Sequence, residues 1–139
     1  MKRILLFLML LTGLSMSNLQ AQTLRNGNNS SIGYIASDGT VRNGYSSCIG
    51  RIYSDGTIRD GMNRYVGKLE SDGTVRDNMN RCIGRIYSDG TVRNSYNSYV
   101  GKVEGNGTVR DNMNRSIGYA RDVRRDWAVL FYFFDLFKK

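Results

Sequence analysis

Every Ile-Gly or Val-Gly pair in the middle of this chain is followed seventeen residues later by another, and the interval never varies. "IGRIYSDGTIRDGMNRY" (49–65) gives way directly to "VGKLESDGTVRDNMNRC" (66–82). Full units occupy 32–48, 49–65, 66–82, 83–99 and 100–116 without insertions. Half units flank the array: "TLRNGNNSS" (23–31) matches the second half of the motif and "IGYA" (117–120) the first. A fixed short period means that each unit buries its apolar face against its neighbours instead of building a core alone.

Within a unit, β-branched residues flank a Ser-Asp-Gly turn, which predicts a hairpin. A two-residue Asp-Gly loop would set Ile52 opposite Arg59. A three-residue loop, with glycine at the left-handed bulge position, sets Ile52 opposite Ile58. Cross-strand partners share a face, so the apolar pairing selects the three-residue loop. Ile35, Ile52, Leu69, Ile86 and Val103 are then expected inside with Val41, Ile58, Val75, Val92 and Val109. Arg42, Arg59, Arg76, Arg93 and Arg110 are expected outside, beside Tyr34, Arg51, Lys68, Arg85 and Lys102. The glycine of each pair, from Gly33 to Gly118, also points inward, where a side chain would clash with a neighbouring unit; a glycine within a strand signals close backbone approach or a bulge. A second turn begins at Asn43, Asp60, Asp77, Asn94 and Asp111, residue types that tolerate left-handed angles. One large apolar side chain follows in each unit: Tyr45, Met62, Met79, Tyr96, Met113. The array has no proline and no helical period, so the fold class is all-β.

Residues 1–21 read as a secretory signal peptide, with Lys2 and Arg3 before an apolar run from Ile4 to Leu14 and Ala21 at the cleavage position. The expected location is therefore exported: periplasm, cell surface or extracellular. Without Lys2 and Arg3 the 20 basic residues become 18 against 12 acidic ones, a formal net charge of about +6. Such a charge suits anionic glycan or lipid headgroups. Nucleic acid is not expected, because the compartment is wrong and the arginines are spread evenly. Residues 22–120 form the repeat domain and 121–139 an aromatic C-terminal segment.

Five hairpins could stack into a rod or close around an axis. Neither end looks like the polar cap a rod needs, and closure removes exposed edges. The five "IGxIxSDGTVR"-type hairpins, the signal peptide and the aromatic C-terminus together resemble the 5-fold β-flower family of exported bacterial proteins. The resemblance implies a flower-like ring of five hairpin petals and brings no established activity. Cys48 and Cys82 hold the same motif position two units apart. In a rod they would lie ~19 Å apart, beyond the ~7 Å reach of a disulfide, whereas around a narrow axis they could converge. Two buried thiols are the expected state, with a Cys48–Cys82 disulfide as the alternative.

After Ala120 comes "RDVRRDWAVLFYFFDLFKK". As a helix it places Trp127, Leu130, Phe131 and Phe134 on one stripe, while Val129, Tyr132, Phe133 and Leu136 make the opposite side apolar too. The expected role is a plug packing on one end of the petals. The alternative is a docking surface, with Phe137, for an envelope protein, another copy or a membrane interface.

Chemistry is sparse. The chain has no histidine, which removes the commonest general base and His-based metal sites. Each Asp-Gly turn offers one Asp or Asn where calcium takes six to eight oxygens, so these are read as turn formers. Glu70 and Glu104, the only glutamates, are expected in surface ion pairs with Lys68 and Lys102. Neither enzymatic activity, nor a metal, nor a cofactor is expected. The candidate ligand-facing residues are the five outward arginines with Tyr53 and Tyr87, which could stack on sugars or bind anions beside Arg51 and Arg85. The expected function is a structural or interaction role at the cell envelope, or alternatively binding of anionic glycan or lipid headgroups.

Overall fold

A computed structural model describes residues 22–138, so the expected signal peptide lies outside the described residues. Twelve short strands follow one another: β1 (Thr23–Asn26), β2 (Ser31–Ile35), β3 (Thr40–Asn43), β4 (Cys48–Ile52), β5 (Thr57–Asp60) and β6 (Tyr65–Leu69). The second half repeats the first, with β7 (Thr74–Asp77), β8 (Cys82–Ile86), β9 (Thr91–Asn94), β10 (Tyr99–Val103), β11 (Thr108–Asp111) and β12 (Ser116–Tyr119). Each strand pairs antiparallel with its neighbours in sequence, and β1 pairs with β12, so the sheet is a closed barrel.

The hairpin register is the one a three-residue loop requires. Ile52 pairs with Ile58 and Arg51 with Arg59. Tyr53 N–H donates to Thr57 O, and Gly56, at φ +92°, makes the bulge after Ser54-Asp55. Between hairpins the ladder shifts by one residue. Val41 pairs with Gly50 but Arg42 with Cys48, leaving Ile49 as a bulge. That bulge recurs in every unit and turns the strands around the ring.

The ring contains six two-stranded units, not five. The half units are complementary parts of one motif, and they join as the sixth: Arg25 pairs with Tyr119 and Asn26 with Gly118. Pairing them removes the last two free edges, which is the physical reason for the extra petal. One rim of the barrel carries six Asx turns. The other carries four Ser-Asp-Gly turns and the equivalent Gly105-Asn106-Gly107 turn, with the two ends of the repeat array, Gln22 and Ala120, where a sixth would lie.

Twelve strands at ~4.8 Å spacing make a wall at least ~18 Å across between backbones, too wide for aliphatic side chains to fill and wide enough for a helix ~10 Å in diameter. Helix α1 (Arg125–Phe133) occupies that space. Ala128, Val129 and Leu130 are fully buried, in one core with the inward aliphatics such as Ile35, Val41 and Leu24. A helix apolar all round is a buried helix. It ends at Phe133; Phe134, which the stripe reading places in the helix, is extended at φ −120°, ψ 137°.

The segment passes along the barrel instead of sitting on one end. Near its start Arg125 donates to Ser88 O at the Ser-Asp-Gly rim. Its last residues meet the glycine ring on the side of the Asx turns. A Cβ on Gly33 would lie 2.6 Å from Phe131, on Gly50 2.6 Å from Phe137, on Gly84 2.7 Å from Phe134 and on Gly118 2.6 Å from Tyr132. The same Cβ atoms would strike the hairpin's own partner strand, as at Arg42 O (2.9 Å from Gly33) and Arg93 O (2.6 Å from Gly84). The glycines therefore make room for the C-terminal segment and the paired strand, not for a neighbouring unit.

Two expectations are corrected here. Trp127, Leu130, Phe131, Phe134 and Phe137 are all buried, so they line the core and form no external docking surface. Cys48 and Cys82 are free and exposed, neither bonded nor buried. Each pairs across the bulge with an outward arginine, Arg42 or Arg76, which places it on the outer wall. Four strand spacings separate them, ~19 Å along a convex surface where the positions diverge.

Candidate functional site

The outer wall carries a ladder of arginines, and their guanidinium groups are already engaged. Arg42 Nη1 donates to Ser46 O (2.9 Å), Arg59 to Asn63 O (3.1 Å) and Arg93 to Asn97 O (2.8 Å). Arg25, Arg76 and Arg110 make the same bond four residues ahead. The acceptor is in each case a residue with positive φ, from 61° at Asn97 to 66° at Asn29. The arginine thus clamps the strained corner of its own Asx turn. Arg76 and Arg110 also bond Glu70 (2.6 Å) and Glu104. The glutamates therefore pair with the ladder arginines and not with Lys68 and Lys102. The reason is register: these arginines lie one strand over on the same outer face.

Tyr53 and Tyr87 are stacked rather than open. The Arg51 guanidinium lies 5.0 Å from the Tyr53 ring centre and that of Arg85 5.2 Å from Tyr87. Such a pair holds both partners flat on the wall and leaves less ring face for a sugar.

The acidic residues of both rims hold turns. Thr40 N–H donates to Asp38 Oδ1, and Asp55, Asp72 and Asp89 repeat the contact with Thr57, Thr74 and Thr91. Those amide bonds hold the four carboxyls below the usual aspartate range. On the opposite rim Asp60 Oδ1 accepts from the amides of Met62 and Arg64. Asp77 and Asp111 do likewise, and the amides of Arg64, Arg81 and Arg115 are the main cause of the lowered carboxyl pKa of each. Asn43 and Asn94 make the same two bonds without a charge.

At the tips of these Asx turns stand the residues that sequence reasoning noticed as apolar but gave no role. Tyr45, Met62, Met79, Tyr96 and Met113 are 69 to 91 % exposed. Their backbone amides are pinned by the Asx side chain, so each tip is presented by a fixed turn. A signal was available: the residue lies two past an Asx, at the apex of a turn, where no neighbour can cover it. Asn28 takes the place in the composite unit. Just below the tips, half-exposed Tyr65 and Tyr99 pair with Arg59 and Arg93. The same rim holds an open cleft of about 650 Å³ between the turns and the end of the chain, lined by Tyr65, Val66, Ile83, Phe133 and Leu136 among others. On the other rim a cleft of about 400 Å³ lies between Glu70, Asp72 and Arg124–Asp126.

Fold and surface together define a repeat β-barrel filled by its own C-terminus, with polar side chains spent on turns and apolar ones displayed on one rim. The chain belongs to the 5-fold beta-flower protein family, whose model matches residues 21–136. No curated protein and no solved structure matches it.

Proposed function

We propose that this chain is a non-enzymatic protein exported to the bacterial cell envelope, where it serves as a rigid scaffold for interaction. The observation that carries this reading is how the repeated polar groups are employed. The ladder arginines clamp turns, the Asp and Asn residues cap amides, and Tyr53 and Tyr87 stack on arginines. Each repeated group has a structural task that explains its recurrence without chemistry. The apolar N-terminal 21 residues support export. Cross-linking and affinity capture of the mature protein from its own envelope test the reading. A specific envelope component is the expected result; a purely cytoplasmic distribution, or turnover of a substrate, overturns it.

A second reading, binding of anionic headgroups, is favoured by one observation. Arg25, Arg42, Arg59 and Arg93 form no salt bridge within the described residues and stand near the rim that displays the apolar tips. Glycan binding through the outer wall alone is less favoured, because the stacked tyrosines are occupied.

A further inference from the structure

We infer that the Asx-turn rim is an interfacial membrane-contact surface, with Tyr45, Met62, Met79, Tyr96 and Met113 entering an anionic lipid bilayer. The inference deepens the headgroup-binding reading and rests on it. Three features order themselves along the barrel axis as a bilayer interface would require. The outermost groups are exposed apolar or amphipathic tips on fixed turns. Immediately behind them are Tyr65 and Tyr99 paired with Arg59 and Arg93, amphipathic rings and cations at the level of headgroups. Arg64, Arg81 and Arg115 are 62 to 70 % exposed at the same turns, and Lys138 follows the last buried aromatic.

Charge selects the occupant. The aspartates of these turns are matched by Arg64, Arg81 and Arg115, and Lys138 offsets Asp135 in charge, while among the described residues Arg25, Arg42, Arg59 and Arg93 have no carboxylate partner, so the rim and the band beneath it are net positive. Two such rims repel each other, which argues against a second copy. Shape points the same way. Tips carried on alternate strand pairs stand ~10 Å apart around the ring, too far to merge into the continuous patch that a protein partner buries. A deformable lipid interface admits separate tips. Strands of four or five residues reach only ~17 Å, short of the ~30 Å hydrocarbon core, so the contact is peripheral.

Flotation of the mature full-length protein with vesicles tests this. Wild type is expected to float with mixed phosphatidylcholine–phosphatidylglycerol vesicles at least tenfold better than with pure phosphatidylcholine, and less well in high salt. Changing all five tips to serine should abolish flotation with anionic vesicles while leaving the circular dichroism melt unchanged. Failure of wild type to bind either vesicle overturns the inference, and does so whether or not the variant folds. Retained flotation of a folded five-tip variant also overturns it, while keeping the headgroup reading through the wall arginines. Capture of a protein partner without vesicle binding overturns the inference and leaves the scaffold reading standing.

Discussion

The hydroxyl of Tyr132 donates to the backbone carbonyl of Arg25, 107 residues earlier in the chain, and lies 3.3 Å from the carbonyl of Tyr119. Arg25 and Tyr119 are partners across the β1–β12 seam, among the described residues the only strand pairing that no turn connects. One phenol on the central helix therefore ties down the place where the ring closes on itself.

Removing that hydroxyl should weaken the seam. Tyr132→Phe is expected to lower stability by about 0.5–1.5 kcal/mol, the usual net value of such a bond, in urea melts at neutral pH. Burial pushes the phenol pKa up to about 12. The folded value exceeds the unfolded one of ~10, so the contribution is complete below pH ~10 and is lost as pH rises towards 12. Wild type should therefore lose stability over that range more steeply than Tyr132→Phe. Parallel alkaline limbs would disprove the assignment.

The acid limb has a different origin. Backbone amides hold the carboxyls of Asp60, Asp77 and Asp111 below the ordinary range, as they do for the Ser-Asp-Gly aspartates. A depressed folded pKa contributes stability above the unfolded value of ~3.9, and that stability is lost as pH falls through the folded values. Asn at positions 26, 43 and 94 makes the same turn without a proton to gain. Asp60→Asn, Asp77→Asn and Asp111→Asn combined should keep the neutral-pH fold and give a shallower loss of thermal midpoint below pH 4. The salt bridges lost to Arg64, Arg81 and Arg115 are exposed and worth little.

How much of this was legible depends on range. The Ile52–Ile58 register was readable because strand periodicity and loop length are local. The sixth petal was not: its halves, 23–31 and 117–120, lie at opposite ends of the array, and only ring closure brings Arg25 to Tyr119. The role of Arg59 was hidden for another reason. Its bond to Asn63 depends on the positive φ of 64° there, which a one-letter pattern does not display. The burial of Phe131 and Phe137 was half-legible. A segment apolar on every side needs a cover, but the width of the ring decides that the cover is the lumen.

The thiols offer a direct check on which face of β4 and β8 looks outward. Cys48 and Cys82 are exposed and unbonded. Both should react with Ellman's reagent in native buffer without denaturant. Cys48→Ser with Cys82→Ser should leave stability within about 0.5 kcal/mol, as expected for surface positions. Thiols that react only in denaturant, or an intramolecular cross-link within the monomer, would contradict the strand orientation.

The fit between wall and filling makes the sharpest demand. A Cβ on Gly84 would lie 2.6 Å from Arg93 O and 2.7 Å from the Phe134 ring, whereas one on Gly105 would meet nothing nearer than Arg125 Nη2 at 3.9 Å. Gly84→Ala should therefore cost about 1–3 kcal/mol through overpacking, while Gly105→Ala should be neutral or slightly stabilising through the unfolded chain. Phe134→Leu, made in the Gly84→Ala background, separates the two clashes. It can relieve the ring but not the carbonyl oxygen, which belongs to the paired strand. Partial recovery in a double-mutant cycle is thus expected, with a coupling of about 0.5 kcal/mol or more between residues 84 and 134. Zero coupling would mean that the glycine ring serves the wall alone and that the aromatic segment is not seated against it.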